Sequence, residues 1–165
     1  MRRLAVASGS TGAHIFDAMP QIPQRTTSLS ATRPGPGVAA GVDEALIETV
    51  VHAFYSRVRR DPELGPIFEA AIGGRWDAHL AKLCDFWSSV LLGTGRFDGS
   101  PMAAHARRPE IGAPHFDRWL ALFEQTVTAL CAPPAAAVFI ERARMIGRSL
   151  LMGMAAGRGE LPAAR

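Results

Sequence analysis

From Asp43 to about Ala156, apolar side chains recur every three or four residues, and no segment alternates with period two over a useful length. Leu46, Ile47, Val50, Val51, Phe54 and Val58 make one such stripe, and Trp76, Leu80, Leu83, Trp87, Val90 and Leu91 a second. Phe116, Trp119, Leu120, Phe123, Val127 and Leu130 make a third, and Val138, Phe139, Met145, Ile146, Leu150 and Met152 a fourth. A repeat near 3.6 residues gathers each set on one side of a helix. The breaks between the stripes carry suitable punctuation: Asp43 as a cap, Asp61-Pro62 as a stop, Gly93 as a terminator and Pro133-Pro134 as a divider. The fold class is all-α.

Size and charge narrow the field. A chain of 165 residues, 48% of them hydrophobic, suits one domain with one core. No window reaches the roughly 18 uninterrupted apolar residues of a membrane span, so a soluble, cytoplasmic protein is expected. Cys84 and Cys131 belong to no metal-binding cluster and read as reduced thiols. The formal charge of +3 comes entirely from residues 1–42, where Arg2, Arg3, Arg25 and Arg33 face Asp17 alone. Residues 43–165 are neutral, which argues against nucleic acid as a partner. The Pro-, Ser-, Thr- and Gly-rich composition from Pro20 to Gly41 predicts an unstructured extension over 1–42. Met19 or a later residue is as good a start as Met1. The folded domain is expected over 43–156, followed by a tail over 157–165.

Within that domain the segment Leu91–Arg108, LLGTGRFDGSPMAAHARR, stands out. A glycine-studded loop leads to Ser100, a good N-cap, and Pro101, which fits the first helical position. Pro109 ends the element after about two turns. It carries His105, a lone imidazole beside apolar helices, which suits an iron-bearing cofactor held by one axial bond. A surface histidine is the plainer reading of the residue taken alone.

Three further polar groups fall on apolar stripes. Tyr55, the single tyrosine, lies beside Phe54; His79 stands three residues after Trp76; Trp119 sits mid-helix. Buried donors left without partners cost roughly 1–3 kcal/mol each. Backbone carbonyls could serve each one separately, whereas one bound polar ligand could serve all three.

The ordered set resembles a known family. Phe54-Tyr55-Ser56-Arg57-Val58, Leu64-Gly65-Pro66-Ile67-Phe68, Trp76-x-x-His79, Phe86-Trp87, Leu91-Leu92-Gly93-x-Gly95, Gly99-x-Pro101-Met102-x-x-His105 and His115-Phe116-x-x-Trp119-Leu120 are similar in order and spacing to group III truncated haemoglobins. The resemblance implies a shortened globin fold, a two-over-two helical sandwich around haem b, with His105 as the proximal iron ligand. It places Tyr55, His79 and Trp119 on the distal side, with Leu83 over the haem edge. Phe54, Phe68, Phe86 and Met102 become candidate haem-packing neighbours from their positions on the inward faces. Arg107, Arg108, His115 or Arg118 could pair with the propionates.

A haem iron with one neutral imidazole keeps a position open for O2, NO or peroxide. Donors from Tyr55 and Trp119 would slow O2 release, which suits NO or peroxide chemistry better than oxygen carriage. Turnover would then need a separate reductase, since no flavin or nicotinamide domain is apparent. The competing class is a cofactor-free helical interaction module. Di-iron and zinc sites lack their ligand spacings.

Overall fold

The computed structural model of the protein describes residues 34–160, all helix, turn or loop with no strand among them. Helix α1 (Glu44–Arg60) begins where Asp43 Oδ1 accepts the Leu46 N–H at 2.8 Å, the expected cap. Asp61 closes α1 in extended backbone and also organises the next element. Its Oδ1 accepts the N–H groups of Glu63 and Leu64 at 3.0 and 2.9 Å, at the start of α2 (Leu64–Ile72). Helix α3 (Trp76–Leu92) ends at Gly93 in left-handed backbone, φ 75°, a conformation glycine takes without penalty. The short α4 (Pro101–Ala106) carries the Ser100 cap and the leading proline, with Ala103 N–H donating to Ser100 Oγ at 3.2 Å. Helices α5 (Ala113–Leu130) and α6 (Pro133–Gly157) complete the chain.

The helices form two crossed pairs. α1 packs on α3, α5 packs on α6, and the pairs meet chiefly through α1 on α5, with α4 resting on α6. At the crossing, Phe123 stacks face to face with Trp119 (5.3 Å, 5°) and with Trp87 (5.0 Å, 11°). Phe54 meets Phe123 and Trp119 edge-on at 5.0 and 5.2 Å. Offset stacks and edge contacts are the favourable geometries for aromatic pairs. This cluster is the hub of the core.

Two details depart from the sequence pattern. Leu130, Met145 and Met152 are exposed although the periodicity placed them inward. The buried stripe of α6 is instead Ala136, Phe139, Ala143, Gly147, Leu150 and Met154, because small residues let α5 approach closely and carry little hydropathy signal. Secondly, order begins before Asp43. Gly35 and Gly37 donate N–H bonds to the carbonyls of Leu92 (3.1 Å) and Leu91 (2.8 Å), and Val38–Ala40 forms a 3-10 turn. These bonds satisfy the orphan carbonyls at the end of α3, and Val42 is buried beneath them. At the other terminus α6 runs to Gly157. The expected extension over residues 1–33 lies outside the described residues. No helix among those described is long and apolar enough to cross a membrane.

Candidate functional site

A cleft of about 600 Å³ opens beside the aromatic hub, with walls from every helix, and falls in the size range of cofactor sites. Its apolar lining includes Phe68 of α2, Leu83 and Phe86 of α3, Phe116 of α5 and Leu150 of α6. Tyr55, His79, His105 and Trp119, from four different helices, all line it.

His105 is set by its own helix. Its Nδ1 lies 2.8 Å from the Pro101 carbonyl oxygen. A carbonyl can only accept, so Nδ1 carries the proton and Nε2 keeps its lone pair. This is the usual arrangement for a metal-ligating imidazole, whose second nitrogen is anchored. The ring is half-buried and rests 5.8 Å from Phe116.

Tyr55, His79 and Trp119 gather at another part of the lining. The Tyr55 ring stands perpendicular to His79 at 6.0 Å and lies 5.8 Å from Phe68. Burial drives the Tyr55 hydroxyl well above its ordinary phenol range, with the Trp119 indole N–H acting in the opposite direction. The hydroxyl therefore stays protonated. His79 Nε2 is buried and has no hydrogen-bond partner. Burial, then the charges of Lys82 and Arg75, hold His79 below its ordinary value, so the ring is neutral near pH 7.

At the rim, Arg107, Arg108 and His115 line the cleft. His115 Nδ1 accepts the Gly112 N–H at 3.1 Å, which leaves Nε2–H free to donate. Arg118 is spoken for: its Nε holds both Asp61 oxygens at 2.8 and 2.9 Å, and its Nη1 reaches Glu63 at 3.0 Å. It does not line the cleft.

Two expected lining residues lie elsewhere. Phe54 is fully buried behind Tyr55, with ring centroids 4.8 Å apart, and supports the lining from beneath. Met102 packs in a satellite cluster with Phe116, Leu150 and Met154, close against Gly153. Its side chain runs against α6 at Gly153 rather than into the cleft. Conversely, Ile67, Arg75, Lys82, Phe97 and Ile146 line the cleft without having been singled out. Arg75 and Lys82 read as ordinary solvated charges on a helix surface, and nothing in their spacing distinguishes them.

The donor set fits the haem that the sequence resemblance implies. One half-buried imidazole offers a free Nε2 to an apolar slot, and an orphaned polar atom waits at another wall. No group of three His, Cys, Asp or Glu side chains suited to holding a bare metal ion occurs among the described residues.

The fold has known counterparts. Residues 39–141 match the bacterial-like globin family. The Group 3 truncated hemoglobin of Campylobacter jejuni is 36% identical over 108 residues, spanning 64% of this chain and 85% of the relative. The crystal structure of group III truncated hemoglobin from Campylobacter jejuni superimposes with a TM-score of 0.64 at 34% identity, covering 67% of this chain and 89% of the other.

Proposed function

Because this chain belongs to the group III truncated haemoglobins, haem-binding globins of shortened all-α fold, we propose that the cleft takes haem b and that His105 Nε2 is the axial ligand. The observation that carries the assignment is the 2.8 Å hydrogen bond from His105 Nδ1 to the Pro101 carbonyl, which selects the ligating tautomer in advance. Phe68, Leu83 and Phe86 would pack on the macrocycle. Arg107, Arg108 and His115 would meet its propionates as charge-assisted donors.

Bound there, the haem supplies an open coordination position for a diatomic ligand. The protein side of the chemistry rests on Tyr55, His79 and Trp119. The Tyr55 hydroxyl is kept protonated by burial, and it and the Trp119 indole N–H would donate to a ligand carrying partial negative charge. His79, neutral and without a partner, is a further group free to bond to it. Apolar walls exclude competing water, so each donor bond is worth on the order of 1–3 kcal/mol.

Donors of that strength imply slow O2 release. Slow release suits oxidation of NO or reduction of peroxide better than carriage of oxygen. Either reaction takes electrons from a separate reductase, and the cytoplasm is the compartment we assign. A cofactor-free module has no observation in its favour, since the cleft and the orphaned His79 Nε2 both argue for an occupant.

An absorption spectrum of the protein loaded with haem tests the assignment. A sharp Soret band, a typical ferrous–CO spectrum, and weakening of both in His105→Ala are expected. Unchanged haem affinity in His105→Ala would overturn it.

A further inference from the structure

Residues 43–165 carry no net formal charge, yet every lysine, arginine, aspartate or glutamate that lines the cleft is a cation. Arg75, Lys82, Arg107 and Arg108 all contribute to the lining, and no aspartate or glutamate does. Lys82 is the only lysine in the chain. Three of these four have no carboxylate partner among the described residues. Arg75 binds the carbonyls of Ala71 and Ile72, Lys82 lies 5.9 Å over the Phe97 ring, and Arg107 is exposed. Only Arg108 has an acidic neighbour, Glu110, at a long 3.3 Å. The two carboxylates of a haem would offset half of this charge.

We propose that the residual positive rim is the docking surface for the acidic face of an electron-donor protein. The proposal rests on haem occupying the cleft. A lining without carboxylates, in a region of zero net charge, concentrates positive potential at one place, the arrangement that steers an oppositely charged partner and speeds encounter without a large buried area. Arg75 and Lys82 stand at the start and first turns of α3, and Arg107 and Arg108 follow α4. Cations therefore come from both the segment bearing His79 and the segment bearing His105. Burial first, and then the charges of Lys82 and Arg75, hold His79 below its ordinary value, so both cations act on the interior of the mouth.

In the step itself the donor protein would lose one electron and be oxidised, and a ferric haem held in the cleft would accept it. No proton or group is transferred.

The test uses the ferric holoprotein, with its Soret band checked first, so that failure to bind haem is seen separately. The probes are a reduced acidic [2Fe–2S] ferredoxin and, as a cationic donor, the reduced methyl viologen radical. With ferredoxin, the second-order rate should fall about tenfold or more as salt screens the rim. A double variant Arg75→Glu/Lys82→Glu should lower the low-salt rate by a similar factor. Reduction by viologen should be unchanged or faster in that variant. Arg148→Glu, at an exposed position on α6 whose side chain does not line the cleft, should leave both rates near wild type. A ferredoxin rate insensitive to salt, equal slowing with both donors, or an effect of Arg148→Glu as large as that of the double variant would overturn the proposal.

Discussion

Arg118 of α5 grips Asp61, the residue between α1 and α2, through two contacts of 2.8 and 2.9 Å from one Nε atom. The same carboxylate caps α2 through the Glu63 and Leu64 N–H groups. One side chain therefore ties the α1–α2 corner to the helix that carries Trp119. The Arg118 hydrogen bond, then the backbone N–H bonds, hold the Asp61 carboxyl below its usual range. A lowered folded-state pKa contributes stability above the ordinary value of 3.8, and that stability is lost as pH falls through the lowered value. Asp61→Ala should cost at least about 1 kcal/mol at neutral pH from the lost cap alone. Its deficit relative to wild type should shrink in strong acid, which urea denaturation at two pH values will show.

Tyr55→Phe keeps the ring and its contacts with Phe54 and Phe68 and deletes only the donor. O2 release measured by stopped flow should accelerate about tenfold or more, the kinetic equivalent of one lost bond. Rates equal to wild type would remove Tyr55 from the distal role.

His79 binds fewer protons when folded than when unfolded, because burial and the neighbouring Lys82 and Arg75 lower its pKa from 6.5. The unfolded chain thus takes up the extra proton, and stability rises with pH through that region. His79→Leu should flatten the rise of stability with pH in the region below and around the ordinary value of 6.5. A profile as steep as wild type would mean that other groups set it.

Gly35 lies so close to the Leu91 and Leu92 backbone that any Cβ would collide with it. Gly35→Ala should displace the segment from the end of α3 and destabilise the protein by roughly 1–3 kcal/mol. Gly74→Ala, where a Cβ meets open space, should be nearly neutral in the same thermal melts.

The contrast between these positions explains what was legible in the sequence. Helix boundaries were, because Asp43, Asp61, Ser100 and the prolines act through local hydrogen bonds and fixed dihedrals. That Tyr55, His79 and Trp119 face inward was, because polar groups on apolar stripes demand partners, and His105 was marked out by its short capped helix; all four line the cleft. Gly35 and Gly37 were not, since their role depends on the surface of a helix more than fifty residues away. The inner face of α6 was misread because Ala136, Ala143 and Gly147 bury well while scoring poorly beside Met145 and Met152. Arg75 and Lys82 escaped notice because only the tertiary fold brings them to the same rim as Arg107 and Arg108.

The parallel rings of Trp119, Phe123 and Trp87 have one more implication. An indole clamped in such a pile cannot tip without prising open the centre of the molecule, so the direction in which its N–H points is decided by the interior rather than by whatever occupies the cleft. A volume change at Phe123, a residue that never meets a ligand, would then retune gas affinity as well as melting temperature.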